Sequence, residues 1–195
     1  VHDAAWSRDG RRIAFAFRGE LFVVNADGSG VRKLAAMNGE VFWPRWSPDG
    51  SKIRFTLQAP ILGAHSLWEV ESEGTQLHPY LPDWSQPTHR WGLGPSTGDW
   101  TPDGRYFIFR FRDYEHSSIW AVPEQANWLG GVAKPVQLYT TADTIGHPLL
   151  SKDGQRIFFV TRQVGDRELV RLDPQRREFV PHLSGVSVQT IRYSH

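Results

Sequence analysis

The sequence predicts an all-β protein: a β-propeller fragment of four four-stranded antiparallel blades plus the first strand of a fifth. Three observations predict it. A pentapeptide recurs along the chain, the same alternating strand text follows each copy, and turn residues stand where hairpins need them.

Trp6-Ser7-Arg8-Asp9-Gly10 returns as Trp46-Ser47-Pro48-Asp49-Gly50 and as Trp100-Thr101-Pro102-Asp103-Gly104. Leu150-Ser151-Lys152-Asp153-Gly154 is a fourth copy with another large apolar residue in first place, and Tyr193-Ser194-His195 reads as a fifth, cut off before its turn. The aspartates at 9, 49, 103 and 153 are 40, 54 and 50 residues apart. One four-stranded sheet per repeat of this length is the pattern of propeller blades.

Within each unit the strands follow in order. Val41-Phe42-Trp43-Pro44-Arg45-Trp46 exemplifies the strand that leads into the turn. The turn in Ser47-Pro48-Asp49-Gly50 has Pro to preset φ, Asp to follow and Gly for the left-handed position. The next strand always reads Gly-x-x-apolar-x-Phe: Ile13 and Phe15, Ile53 and Phe55, Phe107 and Phe109, Ile157 and Phe159. A further strand is Leu21–Val24, Leu67–Val70, Ile119–Val122 and Leu169–Leu172. The last is marked by an apolar patch near Leu34, Leu77, Leu138 and Phe179-Val180. Asn25-Ala26-Asp27-Gly28 and Asp173-Pro174 punctuate the hairpin before it. A blade cannot bury both faces alone, so Trp6, Trp46, Trp68, Trp100 and Trp120 are expected in the core between blades.

These landmarks give one partial propeller domain over 1–195: blade 1 at 2–37, blade 2 at 40–80, an insertion at 82–98, blade 3 at 99–140, blade 4 at 145–184 and the start of blade 5 at 186–195. No sustained helical period interrupts them.

Composition narrows function. The chain has 195 residues, 39% hydrophobic and 22% charged, with net charge +1. Nucleic acid and anionic membranes call for clustered Lys and Arg. The basic pairs Arg11-Arg12 and Arg176-Arg177 stand beside turn signals, so no direct nucleic-acid binding is expected of this segment. No apolar run approaches the ~20 residues of a membrane span, so no membrane insertion is expected. Cysteine is absent, which excludes disulfides and thiolate zinc sites. The chain opens on Val1 in mid-pattern, and we expect its native N-terminus upstream.

Chemistry-bearing motifs are few. Gly94-Pro95-Ser96-Thr97-Gly98 matches the Gly-x-Ser-x-Gly of serine hydrolases, but that motif needs a strand before it and a helix after it. Here Pro95 precedes the serine and the Trp100 turn follows. The eight histidines (2, 65, 78, 89, 116, 147, 182, 195) show no metal-ligand spacing on one element. We expect no cofactor, no metal and no catalysis.

Binding residues are sought where the repeat is interrupted. Residues 125–135 lengthen the third unit. The insertion before it, Pro82-Asp83-Trp84-Ser85-Gln86-Pro87-Thr88-His89-Arg90-Trp91-Gly92-Leu93-Gly94, holds two tryptophans outside the repeat register. Trp84, His89, Arg90 and Trp91 form a candidate surface, because loops on rigid scaffolds concentrate binding and Trp and Arg are frequent anchors. The alternative is a loop that packs its own tryptophans against the rim. Arg45, Asp99 and His147 lie near the starts of the leading strands and are candidates should the centre of the propeller bind or, as in a propeller lyase or glycosidase, react.

Trp46–Phe55 and Leu21–Gly30 resemble the TolB-type propeller repeat, and the likeness extends over nearly the whole chain. Asp99–Phe107, Ser118–Ala121, Pro135–Leu138, Ser151–Gly154, Glu168–Arg171 and Phe179–Gly185 are similar to the TolB-like sensor region of bacterial winged-helix transcriptional regulators and signalling kinases. The resemblance implies a non-catalytic sensor or scaffold that binds a protein or small-molecule ligand and packs against further blades of a parent chain. It leaves periplasm and cytoplasm both open. The competing expectation is the non-catalytic propeller of a prolyl-oligopeptidase-type serine peptidase.

Overall fold

A computed structural model describes residues 3–61, 63–84, 93–124, 134–162, 167–173 and 178–183. Among them the chain is all β except for one 3-10 turn at Pro82–Trp84. The expected stub at 186–195 lies outside the described residues.

Four antiparallel sheets follow one another along the chain. The first runs β1 (Ala4–Trp6), β2 (Arg12–Phe17), β3 (Glu20–Asn25) and β4 (Arg32–Ala36), hydrogen-bonded in that order. The second repeats it with β5 (Glu40–Trp46), β6 (Lys52–Gln58), β7 (His65–Glu71) and β8 (His78–Tyr80). The third holds β9 (Gly94–Trp100), β10 (Tyr106–Arg112), β11 (Ser117–Pro123) and β12 (Val136–Thr141). The fourth has five strands, because its leading strand is split into β13 (Thr144–Ile145) and β14 (Leu149–Leu150), both on β15 (Ile157–Arg162); β16 (Arg167–Asp173) and β17 (Glu178–Leu183) complete it. Pro148, which has no N–H to give to the ladder, stands in the break.

The recurring pentapeptide builds one self-contained turn. In blade 2, Ser47 Oγ donates to Asp49 Oδ1 at 2.6 Å and accepts the Lys52 N–H at 2.9 Å. The Gly50 N–H closes on Ser47 O at 2.9 Å, and Gly50 holds φ at +71°. Ser7, Thr101 and Ser151 make the same hydroxyl bond to Asp9, Asp103 and Asp153. These bonds hold all four carboxyls below the usual aspartate range.

Alternation then gives each sheet a leading face and a trailing face. In blade 2 the leading face carries Trp46, Ile53, Phe55 and Val70, all buried against Ala14, Ala16, Leu21 and Val23 on the trailing face of blade 1. In blade 4 Ile157, Phe159 and Val170 are buried in the same way with Ile108 and Ala121 of blade 3. Trp68 and Trp120 share one register position opposite Phe55 and Phe109, and each donates its indole N–H to the serine two residues before it, at 3.0 and 2.8 Å.

By its internal contacts the chain groups into two compact units, Val1–Thr97 and Gly98–His195. Three expectations change. Trp46 and Trp100 are buried, but Trp6 is 53% exposed, because no sheet covers the leading face of blade 1 in its unit. Leu77 is exposed just ahead of β8, and Tyr80 fills the buried position in its place. Residues 94–98, expected within the insertion, form the first part of β9. Their Gly, Pro and Ser suggest a loop, but tertiary pairing overrides that local preference.

Candidate functional site

Two of the non-glycine residues with positive φ, Trp43 and Thr97, stand on the leading strands β5 and β9. In β5 the pairing register with β6 shifts between Phe42 and Arg45. Pro44 stands in that interval and cannot donate to the ladder. The bulge leaves Trp43 in the left-handed region at φ +49°, where a bulky side chain is an outlier. Its indole meets the Phe42 ring at 5.3 Å and the edge of His65 at 6.1 Å. Thr97 lies three residues before Trp100, as Trp43 lies before Trp46, and it too has positive φ, at +30°. Its N–H donates to Thr56 Oγ1 at 2.9 Å.

This repeat position is Asp3 in blade 1, Trp43 in blade 2, Thr97 in blade 3 and His147 in blade 4. The position two residues on holds Arg45 and Asp99. Arg45 Nη1 meets Asp3 Oδ2 at 3.1 Å and donates to Pro44 O at 2.8 Å. Both ion-pair partners keep about a quarter of their side-chain surface. Asp99 accepts the Trp100 N–H at 2.8 Å and is half-buried. His147 is half-buried in the break between β13 and β14. Close by in sequence, Ile145 O accepts from Arg110 Nη1 at 2.9 Å, and desolvation with the neighbouring charge of Arg112 pulls the Arg110 pKa down to about 10.

Of the four candidates in the insertion, Trp84 alone is among the described residues. Trp84 closes the 3-10 turn, its N–H bonded to Leu81 O at 3.0 Å, with a half-buried side chain. His89, Arg90 and Trp91 lie outside the described residues. Ser96 of the hydrolase-like pentapeptide is fully buried within β9, which runs into the repeat turn and then a strand. That is not the exposed elbow a nucleophile requires.

Two groups escaped the sequence reading. In sequence Trp43 reads as an ordinary strand residue, although the proline after it signals a bulge. The second group is a buried ion pair on the trailing face of blade 2. Arg54 Nε donates to Glu69 Oε2 at 2.7 Å, and Lys52 Nζ donates to Glu69 Oε1 at 2.8 Å. The Arg54 guanidinium lies 3.6 Å from the centre of the Tyr80 ring. Burial pushes the Glu69 carboxyl up, but the Arg54 charge and the bonds from Lys52 and Arg54 outweigh it and hold the group below its usual range. A signal existed: Arg54 and Glu69 replace the apolar pairs Ala14–Val23 and Ile108–Ala121 at the same register.

A cavity of about 250 Å³ lies between the first two turns, lined by Ser7, Arg8, Asp9, Arg12, Pro48, Asp49 and Gly50. Its aspartates are already engaged by the turn hydroxyls. Among the described residues no group of three His, Asp or Glu side chains could hold a metal ion.

No protein-family model and no curated protein matches the chain. Solved structures do. TolB from Acinetobacter baumannii superposes with a TM-score of 0.67 at 17% identity, over 91% of this chain and 43% of that one. A provisionally assigned TolB from Agrobacterium tumefaciens gives 0.70 at 17% identity, over 92% of this chain and 63% of that one. A prolyl endopeptidase gives 0.56 at 17% identity, over 91% of this chain and 28% of that one. The chain thus spans about half the length of the TolB structures it matches. The shared fold is that of a TolB-like β-propeller.

Proposed function

We propose that this chain is a non-catalytic binding module, the sensor or scaffold propeller of a larger bacterial signalling or transcription-regulatory protein. Its ligand is a protein or a small molecule. The observation that carries this reading is the strained leading strand of blade 2, which holds a partly exposed Trp43 in the left-handed region two residues before Arg45, the partner of Asp3. Bulges re-aim side chains next to binding sites, and left-handed strain in a bulky residue persists only where the surrounding structure holds it. A partly exposed aromatic with an adjacent, partly exposed arginine is also an anchor composition. The TolB-like fold supports the reading, because such scaffolds are used for partner binding.

The test is selection of a phage-displayed peptide library on the wild-type chain, scored against Trp43→Ala and Arg45→Glu. Selected peptides are expected to lose at least tenfold in affinity on both variants, while Trp84→Ala leaves them unchanged. Equal binding to Trp43→Ala and wild type would overturn the assignment of this surface.

The second reading, the gate propeller of a prolyl-oligopeptidase-type peptidase, is favoured by the likeness to a prolyl endopeptidase. It places the chemistry outside these residues. Labelling of the longer natural polypeptide by a serine-hydrolase probe, at a serine other than Ser96, would select it.

A further inference from the structure

A glycine that follows aspartate or asparagine lets the backbone react with the side chain before it. With no Cβ in the way, the glycine nitrogen reaches the side-chain carbonyl carbon and closes a five-membered imide. The sequence holds six such pairs: Asp9-Gly10, Asp27-Gly28, Asp49-Gly50, Asp103-Gly104, Asp153-Gly154 and Asn38-Gly39.

The fold disarms five of them. Each of the five glycine amides already donates, Gly10 to Ser7 O, Gly28 to Asn25 O, Gly50 to Ser47 O, Gly104 to Thr101 O and Gly154 to Ser151 O, at 2.8–2.9 Å. Each aspartate also accepts a hydroxyl, from Ser7, Ser29, Ser47, Thr101 and Ser151 in turn. Those bonds hold the carboxyls below the usual aspartate range, as carboxylates that an incoming nitrogen attacks poorly. Asn25 is followed by Ala26, whose N–H donates to Arg11 O at 2.8 Å. An amide that must first break a hydrogen bond of ordinary net strength reacts roughly fivefold more slowly.

Asn38-Gly39 has neither protection. It stands in the connection between β4 and β5, with Asn38 exposed and Gly39 half-buried. Among the described residues the Gly39 N–H makes no hydrogen bond, and the Asn38 carboxamide carries no charge. The same turn has no room for a longer main chain. A Cβ on Gly39 would lie 2.3 Å from Gln58 O, and one on Gly19 2.5 Å from Gly39 O. The Met37 N–H donates to Gly19 O at 3.0 Å, and Glu40 pairs with Gln58 at the head of β5.

We propose that Asn38 is a self-modification site, converted without an enzyme to aspartate and isoaspartate while the five Asp-Gly pairs stay intact, and that the isoaspartate form loosens the β4–β5 turn. The Gly39 nitrogen bonds to Asn38 Cγ, the Cγ–Nδ2 bond breaks, and Nδ2 leaves as ammonia with the proton that Gly39 gives up. Water then opens the imide. Attack at the side-chain carbonyl returns aspartate. Attack at the main-chain carbonyl gives isoaspartate, whose backbone runs through Cβ and Cγ and is one atom longer.

The test is incubation of residues 1–195 at mildly alkaline pH, in buffer and in urea, followed by peptide mapping with mass spectrometry. In buffer, loss of ammonia is expected at Asn38, within about tenfold of its rate in urea, because no bond of the turn has to break first. Isoaspartate at the Asp-Gly pairs should form at least roughly fivefold more slowly in buffer than in urea. Asn38→Gln, whose longer side chain does not close the five-membered ring, should stay unmodified at that position and melt as wild type does. Freshly prepared Asn38→Asp carries the charge of the product without the longer backbone and should also melt as wild type, whereas the isoaspartate fraction of aged wild type, separated by ion exchange, should melt lower. An Asn38 that keeps its amide in buffer while losing it in urea, Asp-Gly pairs that react as fast in buffer as in urea, or an isoaspartate fraction that melts with Asn38→Asp would each overturn the proposal.

Discussion

In every repeat turn one hydroxyl does the work of several backbone groups. Ser47 Oγ donates to Asp49 and accepts from the Lys52 N–H, so its loss leaves the part-buried Lys52 amide without this acceptor. Ser47→Ala should lower stability by about 1–2 kcal/mol, seen as a lower denaturation midpoint at unchanged slope. Glu69 is the second residue whose chemistry sets stability. Its folded pKa is depressed, so it stabilises the fold fully above the usual glutamate value of ~4.3, and that stability is lost as pH falls through the folded value. Glu69→Gln strands the Arg54 charge and should cost about 3–5 kcal/mol at neutral pH. The gap to wild type should narrow as pH falls below ~4, and melting curves from pH 7 to 3 read it directly. Arg54→Met with Glu69→Leu should recover most of the loss, because it restores the apolar pairing of the other blades. The serine of the turn was legible in the sequence because it recurs in register. The ion pair was not, because Arg54 and Glu69 are distant in sequence and each reads as a solvated strand residue until the β6–β7 register sets them opposite.

At the scale of the element, β9 shows where propensity misleads. Gly94-Pro95-Ser96-Thr97-Gly98 has the composition of a loop, yet it forms a strand because the space is too narrow for larger residues. A Cβ on Gly98 would lie 2.5 Å from Ile108 O and 2.6 Å from the Phe107 ring, and one on Gly94 2.3 Å from His65 O. Gly94 also needs its left-handed φ of +107°. Gly98→Ala should therefore destabilise unit 2 by more than about 2 kcal/mol, even though alanine removes entropy from the unfolded chain. Thermal melts of the variant decide it; an unchanged melting temperature would mean that β9 does not pack against β10 in this way. The regular strands, β2, β6, β10 and β15, were legible because the Gly-x-x-apolar-x-Phe text alternates as a half-buried strand must. The bulge at Trp43 was not, because a register shift belongs to two strands at once.

At the scale of the whole molecule, the repeat predicts one continuous array, and the contacts group the chain into two compact units. Unit 1 has its own core, in which Ile53, Phe55, Val70 and Trp46 are sealed against Ala14, Ala16, Leu21 and Val23. It also has its own outer clasp. Arg32 donates to Ser72 O at 3.0 Å and pairs with Glu73 at 3.1 Å, tying β4 to the turn after β7. The segment up to Thr97 belongs to it through Leu93 O, which accepts the His65 N–H at 2.7 Å, and through the Thr97–Thr56 bond. A chain of residues 1–97 should then fold by itself, with a single reversible thermal transition. It is near the size at which one core is barely sufficient, so its stability should fall in the low single digits of kcal/mol. Ending the chain at residue 92 removes both bonds and leaves the Thr56 hydroxyl without its donor in a buried place. That shorter chain should lose about 1–3 kcal/mol relative to 1–97, which chemical denaturation of the two fragments would measure. If 1–97 shows no cooperative transition at all, its core depends on residues beyond Thr97, and the repeat, not the unit, is the element in which this fold is stabilised.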